Sequence, residues 1–339
     1  MNLQSKRQNL KELLEKRDGR IVVAIGVSNG MEAKILYATI CEMYEKKEIP
    51  AFIGGVITFV SGFLAAANHG LPDLGYILRE EIVKHTSIIE QSTWMAAIGQ
   101  KHAAFPIGVD IDTGYGNEPF SVVLTCRQAH LAGAQYVQIE DQHSINKSCG
   151  HMAGGHGTGK EIISKEEMIN LRIAPAVSYA NMVTDFTVMA RTDAIAVEGI
   201  DSALERMHAY KDAGAKLLFV EAPVGEEQLR IVAEEFKNAD AVNVANMIET
   251  SPHTPYKTPR ELHENGFGIG LYCIGGIMVG RIAQQNYYKA IAIGNNVLEE
   301  SGDRNNWFDG FNRIIGRNFC ESYNSFYRNK VIKLLQNRI

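Results

Sequence analysis

The segment Lys147-Ser148-Cys149-Gly150-His151 places a thiol between two residues that can carry positive charge. Nearby positive charge stabilises a thiolate, the form in which cysteine acts as a base or a nucleophile. A free cysteine is also commonly a small buried residue, and short motifs occur by chance. The segment therefore predicts a reactive thiol, with a structural cysteine as the alternative.

The predicted strand at residues 105–111 ends in an acidic cluster. Asp110 and Asp112 stand two residues apart, so both side chains can face one site, and Glu140 ends the next predicted strand. Carboxylates of this kind suit Mg²⁺, and Mn²⁺ is a possible substitute. An Asx-rich turn that caps the next helix is the alternative. A phosphate-binding glycine loop is a second alternative, although the acidic side chains disfavour it.

Two cations could bind a carboxylate-bearing substrate. The guanidinium of Arg191 can bind a carboxylate with two parallel hydrogen bonds, and Lys147 can add a point charge. Salt bridges at the rim of the fold are the alternative for both. Together with the acidic cluster and the thiol, these cations predict a small anionic substrate bridged by Mg²⁺.

Composition narrows the class of protein. The chain has 339 residues, a net charge of −5 and no basic run, so we do not expect nucleic acid as a partner. No apolar run reaches the length of a membrane span, so we do not expect a membrane partner either. Five cysteines lack a CxxC pair, which disfavours a zinc site or a disulfide framework. The N-terminal residues predict a charged amphipathic helix and not a signal peptide. These features predict a reduced, cytoplasmic protein.

Apolar, β-branched runs alternate with helical segments along the chain. Polar residues follow one predicted strand after another, which favours convergence at the mouth of a (β/α)8 TIM-type barrel over an open doubly wound sheet. We expect residues 1–280 to form this catalytic barrel. Residues 281–339 are expected to form extra C-terminal helices, over 281–293 and 309–326, at an oligomer interface. The predicted strands are 20–27, 51–61, 105–111, 136–140, 187–191, 217–221, 241–247 and 268–273.

Several ordered motifs resemble the isocitrate lyase and phosphoenolpyruvate mutase superfamily, and most closely its 2-methylisocitrate lyases. They are VDIDTGYG, IEDQ, KSCGH, GKEIISKEEM, VMARTDAIAVEG and AYKDAGAKLLFVEAP. The resemblance covers about residues 21–280. It implies a (β/α)8 barrel, a homotetramer or a dimer with an exchanged C-terminal helix, and a Mg²⁺-dependent reaction on an α-oxo or α-hydroxy carboxylate.

The resemblance also implies roles for single residues. Asp110 would bind Mg²⁺ directly, with Asp112 and Glu140 acting through water. The implied catalytic residues are Cys149 as acid/base on a mobile loop with Lys147 and His151, and Glu221 beside the substrate. The implied substrate-binding residues are Ser61, Gly62, Asp73, Gly150, Arg191 and Asn246.

The expected reaction is cleavage of a 2-hydroxy di- or tricarboxylic acid similar to 2-methylisocitrate. It would give pyruvate or glyoxylate and a second carboxylate, which Cys149 protonates as general acid. The alternatives are hydrolysis of an oxaloacetate-type 2-oxo acid, a mutase-like reaction that forms a phosphonate, and a non-catalytic binding barrel. Departures from the usual motifs at Phe59, Gln138, Ser148 and the longer loop 152–159 leave the substrate open.

Overall fold

Eight parallel strands close into a barrel in the order of the chain, in a computed structural model that describes residues 7–145, 147–150, 160–249, 251, 253–295 and 307–336. The last strand pairs with the first, with Val22 opposite Ile269, which confirms the barrel and excludes the open sheet. Each predicted strand is present, and its ends lie within two residues of those observed. The strands are β1 (Ile21–Gly26), β2 (Ile53–Val60), β3 (Ile107–Asp110), β4 (Tyr136–Glu140), β5 (Thr187–Thr192), β6 (Leu217–Val220), β7 (Val242–Asn246) and β8 (Ile269–Tyr272).

Helices connect the strands and surround the barrel. A π-helical segment, Met168–Ile173, separates two of them. In the part of the chain that the structure describes, none combines the length and apolar character that crossing a bilayer requires. The helices are α1 (Leu10–Lys16), α2 (Gly30–Lys46), α3 (Gly62–Asn68), α4 (Arg79–Ala97), α5 (Pro119–Leu131), α6 (Lys165–Glu167), α7 (Ala174–Ala180), α8 (Ile195–Glu198), α9 (Ile200–Asp212), α10 (Gly225–Phe236), α11 (Pro259–Asn265), α12 (Gly275–Ala292), α13 (Trp307–Ile314) and α14 (Arg317–Gln336).

The barrel interior is a packed core that is closed at its N-terminal end. Strands that are covered on both faces carry nearly continuous apolar runs, which is why their positions could be predicted. Helix α1 covers the N-terminal end with the buried side chains of Leu10 and Leu13. The backbone N–H of Leu10 donates to Gln135 Oε1 at 2.6 Å and fixes α1 to the barrel. The open mouth therefore lies at the C-terminal ends of the strands.

The C-terminal region differs from the predicted one. A single helix over 309–326 is wrong, because Gly316 adopts a left-handed conformation (φ +87°) and separates α13 from α14. Lys34 Nζ donates to the carbonyl of Ile315 at 2.7 Å and fixes this break against α2. Helix α12 begins at Gly275 and runs continuously past residue 280, where the catalytic barrel was predicted to end.

Candidate active site

A cavity of about 240 Å³ opens at the mouth of the barrel. The strand ends converge there, as the sequence predicts for a closed barrel. Three more of the predicted residues contact those that line it: Lys147 pairs with Asp73, the backbone N–H of Asp112 donates to Asp110 Oδ1, and Glu140 pairs with Arg191. His151 lies outside the described residues. The predicted site residues that line the cavity are Ser61, Asp73, Asp110, Cys149, Gly150, Arg191, Glu221 and Asn246.

Arg191 lies buried at the centre of the site among three carboxylates. Its Nε and Nη2 donate to the two oxygens of Asp193 at 2.9 and 3.0 Å. Its Nη1 lies 3.0 Å from Glu140 Oε2, and its Nε lies 3.3 Å from Glu221 Oε2. Burial by itself would lower the pKa of Arg191, but these carboxylates outweigh it and hold the pKa well above its usual value. The guanidinium is therefore permanently charged.

Lys147 bridges two acidic residues from different segments of the mouth. Its Nζ lies 2.9 Å from Asp73 Oδ1 and 2.8 Å from Asp112 Oδ1, and its side chain is buried. Burial would lower the pKa of Lys147, yet the surrounding carboxylates, above all Asp112 and Glu140, raise it well above its usual value. The ammonium is thus held by the acidic cluster, and the predicted effect of Lys147 on the thiol stays a prediction.

The buried carboxylates exceed the charge of these two cations. Burial, with the charge of Asp112 added, raises the pKa of Asp110 to about 7, although Lys147 and Arg191 oppose the rise. Burial likewise raises the pKa of Glu140 to about 8 against the opposing effects of Arg191 and Lys147. Asp112 itself adopts a left-handed backbone conformation (φ +50°), which turns the chain sharply at the mouth. The site is therefore poised to bind additional positive charge.

The donor set fits a hydrated Mg²⁺ ion. Among the described residues, no three His, Cys, Asp or Glu side chains group closely enough to be joint direct ligands. Mg²⁺ characteristically keeps several waters and uses only one or two protein carboxylates. Glu140 Oε1 is buried and accepts no hydrogen bond from a described residue, so it can accept one from such a water. Direct binding by Asp110 and water-mediated contacts for Asp112 and Glu140 stay predictions.

The segment that carries Cys149 is held from both sides. Gln142 binds the backbone of Ser148 twice, through Oε1 at 3.0 Å and Nε2 at 2.9 Å. Lys160 Nζ donates to the carbonyl of Gly150 at 2.6 Å and to Asp193 Oδ1 at 2.7 Å. These contacts fix the half-buried Cys149 at the wall of the cavity.

Glycine is required at residue 150 for steric reasons. A Cβ atom there would overlap Arg191 Nη2 and Glu221 Oε2. The backbone of the cysteine segment can therefore lie directly against the buried ion pair only because Gly150 has no side chain. A milder version of this constraint applies at Gly62, where a Cβ would lie 3.2 Å from both Asp110 Oδ2 and Asp112 Oδ1.

Three contributors were not assigned a role from the sequence. Lys160 stands in the GKEIISKEEM motif, but only the fold shows that it reaches Gly150 and Asp193. Gln142 is the last residue of the IEDQ motif and could have been suspected from that position alone. Cys273 lines the cavity, and its Sγ lies 3.5 Å from Asn246 Oδ1. Lys160 and Cys273 contact residues that line the cavity, and Gln142 holds the segment that carries Cys149.

Two departures from the usual motifs also face the cavity. Gln138 is buried, and its Oε1 accepts no hydrogen bond from a described residue. Phe59 is buried against the ring of Tyr136, with centroids 6.1 Å apart. Ser148 is buried one residue before the thiol. The loop 152–159 lies outside the described residues.

The contacts of Lys160 predict that Lys160→Met loosens the cysteine segment. The variant leaves the carbonyl of Gly150 without its ammonium donor, so we expect iodoacetamide to alkylate Cys149 about ten-fold faster. Peptide mass spectrometry measures this rate at each cysteine. Cys126, which is fully buried in the core, reports global unfolding in the same sample.

Lys165→Met is the matched control, because Lys165 pairs with Glu205 at the surface. Equal acceleration at Cys149 and Cys126 would mean that Lys160 acts only on overall stability. Unchanged alkylation of Cys149 would show that the contacts of Lys160 do not hold the cysteine segment.

The raised pKa values of Asp110 and Glu140 predict that metal-free protein loses stability as pH rises. The folded state keeps protons that the unfolded chain releases near pH 4, so stability falls between about pH 4 and the folded pKa values of about 7 and about 8. The pKa of Asp110 rises by about three units, so at about 1.4 kcal/mol per unit Asp110→Asn should flatten this fall by up to about 4 kcal/mol. Urea unfolding in EDTA measures the free energy of unfolding across this pH range.

Asp212→Asn, at an exposed carboxylate, serves as the control for that experiment. Saturating Mg²⁺ should remove the fall in the wild-type protein, because metal ions and protons compete for the same carboxylate. A wild-type stability that rises over this pH range in EDTA would contradict the assignment.

Comparisons with known proteins agree with this geometry. A family model described as phosphoenolpyruvate phosphomutase matches residues 13–288. A 2,3-dimethylmalate lyase of Eubacterium barkeri is 34% identical over 283 residues, which cover 83% of this chain and 84% of the relative. A 2-methylisocitrate lyase of Aeropyrum pernix is 36% identical over 263 residues, covering 78% and 72%.

Among solved structures, the trigonal crystal form of 2,3-dimethylmalate lyase is similar. It superposes with a TM-score of 0.77 at 26% identity and covers 94% of each chain. The family match spans most of the barrel, and the relatives exceed 30% identity over more than two thirds of the chain. The chain is therefore an enzyme of the phosphoenolpyruvate mutase/isocitrate lyase superfamily.

Proposed function

We propose that this enzyme is a Mg²⁺-dependent carbon–carbon lyase. Its substrate would be a 2-hydroxy polycarboxylic acid of the 2-methylisocitrate type, and its products an α-keto acid, pyruvate or glyoxylate, and a second carboxylate. One observation carries this proposal: Asp110, Arg191 and Cys149 line a single cavity. A carboxylate for the metal, a guanidinium for the substrate and a thiol for proton transfer are thus available to one bound molecule.

Arg191 would bind the carboxylate next to the substrate hydroxyl. Its hydrogen bonds to Asp193 engage Nε and one hydrogen on Nη2, and its Nη1 lies 3.0 Å from Glu140 Oε2. Each terminal nitrogen keeps a second N–H, which suits a two-oxygen carboxylate. Ser61 lines the same cavity and would add a hydroxyl contact. When bound by Asp110, with Asp112 and Glu140 acting through water, Mg²⁺ would supply Lewis-acid stabilisation of negative charge on substrate oxygens.

Two residues would move the protons. Glu221 faces the cavity and would accept the hydroxyl proton, directly or through water, as the carbon–carbon bond breaks. The departing half leaves with the electron pair of that bond as an enolised carboxylate. The Cys149 thiol would return a proton to its carbon. The contacts of Gln142 and Lys160 hold this thiol at the cavity wall and so limit its motion during the transfer.

We also propose that the enzyme works in a reducing compartment. Every cysteine in the chain is a free thiol, which agrees with a reducing compartment such as the cytoplasm. The acidic overall charge gives no support for a nucleic-acid partner.

Cys149→Ser should reduce turnover by about 10² to 10⁴, because a hydroxyl is a much weaker acid at this position. Product NMR measures the rate and identifies the products after incubation with 2-methylisocitrate, 2,3-dimethylmalate and oxaloacetate. Substrate binding, measured by calorimetry on the Mg²⁺-loaded variant, should stay within a few-fold of the wild type. Cys126→Ser is unsuitable as a control because it is buried, so Cys320→Ser serves instead.

Full turnover by Cys149→Ser would remove the thiol from the mechanism. Oxalate and acetate formed from oxaloacetate, without cleavage of the 2-hydroxy acids, would replace the lyase proposal with the hydrolase alternative. Retained ligand binding with no product from any acid would favour a non-catalytic barrel.

We also propose that the protein is a homo-oligomer, a tetramer or a dimer, in which α12 contacts a second copy. None of the residues of this 18-residue helix is buried. Large apolar side chains along it are exposed, including Val279 at 70%, Tyr288 at 64% and Ile291 at 53%. Exposed apolar surface of this extent commonly marks a protein–protein interface.

Ile282→Arg, on the same helix, should weaken the assembly by placing a charge in the interface. Light scattering coupled to size exclusion should show a smaller species at micromolar concentration. Leu131→Arg, at an exposed apolar residue at the end of α5, is the control and should leave the mass unchanged. A monomeric wild-type protein would rule out the oligomer, and an unchanged Ile282→Arg assembly would exclude α12 as its interface.

A further inference from the structure

A second cavity, of about 230 Å³, lies between the loops that follow β3 and β4 and the π-helical segment Met168–Ile173. No described residue lines both this cavity and the one at the active site. π-Helical turns are rare and occur frequently at functional sites. We call this second space the Arg172 cavity, and the polar side chains that line it are Asn117, His143, Ser144, Glu167 and Arg172.

Arg172 is the buried cation of this cavity, with only 7% of its surface exposed. Its Nη1 donates to the backbone carbonyls of Glu140 and Gln142 at 2.5 and 2.8 Å. These two bonds use both hydrogens of Nη1 and leave the N–H groups of Nε and Nη2. With the described residues, Arg172 forms no other hydrogen bond and no ion pair. One edge of the guanidinium is thus available to a ligand.

The charge of Arg172 is also poorly compensated. Burial lowers its pKa, and the acidic groups around it do not outweigh that effect. Arg206 is the contrast: burial lowers its pKa too, but its hydrogen bonds to Glu198 outweigh burial and raise the pKa. A buried guanidinium without an anionic partner carries an unrelieved desolvation cost. An anion in the Arg172 cavity would relieve this cost.

The other polar groups of the cavity are mainly donors. Nδ1 of His143 accepts the backbone N–H of Ile145 at 3.2 Å, so the neutral ring carries its proton on Nε2. Oδ1 of Asn117 accepts from the hydroxyl of Ser144 at 3.4 Å, which leaves the amide Nδ2 as a donor. Glu167 is the exception, and its Oε2 is engaged at the N-terminal cap of α6. A ligand that only accepts hydrogen bonds therefore fits this set.

We propose that the Arg172 cavity binds a small oxyanion, a carboxylate or a phosphate, at a site separate from the active site. The N–H groups of Nε and Nη2 in an arginine are parallel and match two oxygens of such an anion. His143 and Asn117 would donate to its other oxygens. This proposal does not depend on which reaction the active site catalyses.

The anion would act on the active site through the two carbonyls that Arg172 binds. One carbonyl belongs to Glu140 of the acidic cluster. The other belongs to Gln142, whose side chain holds the backbone of Ser148 next to the thiol of Cys149. A bound anion would fix the guanidinium and, through it, both carbonyls. Occupancy of the cavity would therefore regulate how firmly the cysteine segment is held.

Modification of histidines by diethyl pyrocarbonate tests binding in the wild-type enzyme, and peptide mass spectrometry gives the rate at each histidine. With a Kd of about 1 mM, which a few charge-assisted hydrogen bonds can provide, about 10 mM phosphate should slow modification of His143 about ten-fold. Acetate is the carboxylate probe. The rate at His69, a partly exposed ring outside the cavity, should not change. Sodium chloride at equal ionic strength should protect neither histidine.

Asn117→Asp tests the position of the site. The new carboxylate would repel an oxyanion and offer Arg172 an internal partner, so the affinity for phosphate should fall at least about ten-fold. Asn181→Asp, at another exposed asparagine outside the cavity, is the matched control and should keep the protection of His143. Phosphate should also slow alkylation of Cys149 by iodoacetamide in the wild type and the control, but not in Asn117→Asp.

Each outcome supports or overturns the proposal. Protection by only one of phosphate and acetate would support the site and identify which oxyanion it takes. No protection by either, equal protection by chloride, or full protection in Asn117→Asp would overturn the site. Slower alkylation of Cys149 that persists in Asn117→Asp would show that the anion acts inside the active-site cavity and would overturn the regulatory link. Since no readout is turnover, failure of the lyase proposal would be detected separately.

Discussion

The compensation of buried charge around Arg191 is the constraint on which the rest of the site depends. A guanidinium inside the barrel mouth is tolerated only if carboxylates surround it, and Asp193, Glu140 and Glu221 do so. These carboxylates come from three neighbouring strand ends, so the parallel barrel brings them together. Lys160 then pairs with Asp193 and carries the cysteine segment into the same network. Removing one partner of such a network typically costs about 3–5 kcal/mol.

The proposed Mg²⁺ would bind beside this network. Arg191 and Lys147 neutralise part of the acidic cluster, but burial still raises the pKa values of Asp110 and Glu140 to about 7 and about 8. A protein can relieve such an excess by protonation or by binding a cation. Protonation removes the carboxylate as a metal ligand, whereas binding of a cation uses it. The raised pKa values of these buried carboxylates are one reason why we propose a divalent cation at the mouth.

Much of this arrangement follows from local sequence, and the rest does not. The strands could be predicted because both faces of a parallel barrel are covered, so each strand reads as an apolar run. Polar residues at strand ends, such as Asp110 and Arg191, then had to meet at the mouth. Lys160 could not be assigned, since its partners are set by tertiary contact. The break at Gly316 was missed because apolar and aromatic residues continue on both sides of it.

The charged residues at the mouth and the apolar residues that line the cavity differ in how freely they can change. Substitution of a charged residue disturbs a network in which each ion depends on the others, so few substitutions leave it intact. Swaps of apolar side chains with similar volume usually cost less than about 1.5 kcal/mol. Partly buried positions such as Ile248 and Met278 are less constrained still. A barrel built in this way holds its charged residues nearly fixed, while apolar lining residues such as Ile248 and Met278 are freer to vary.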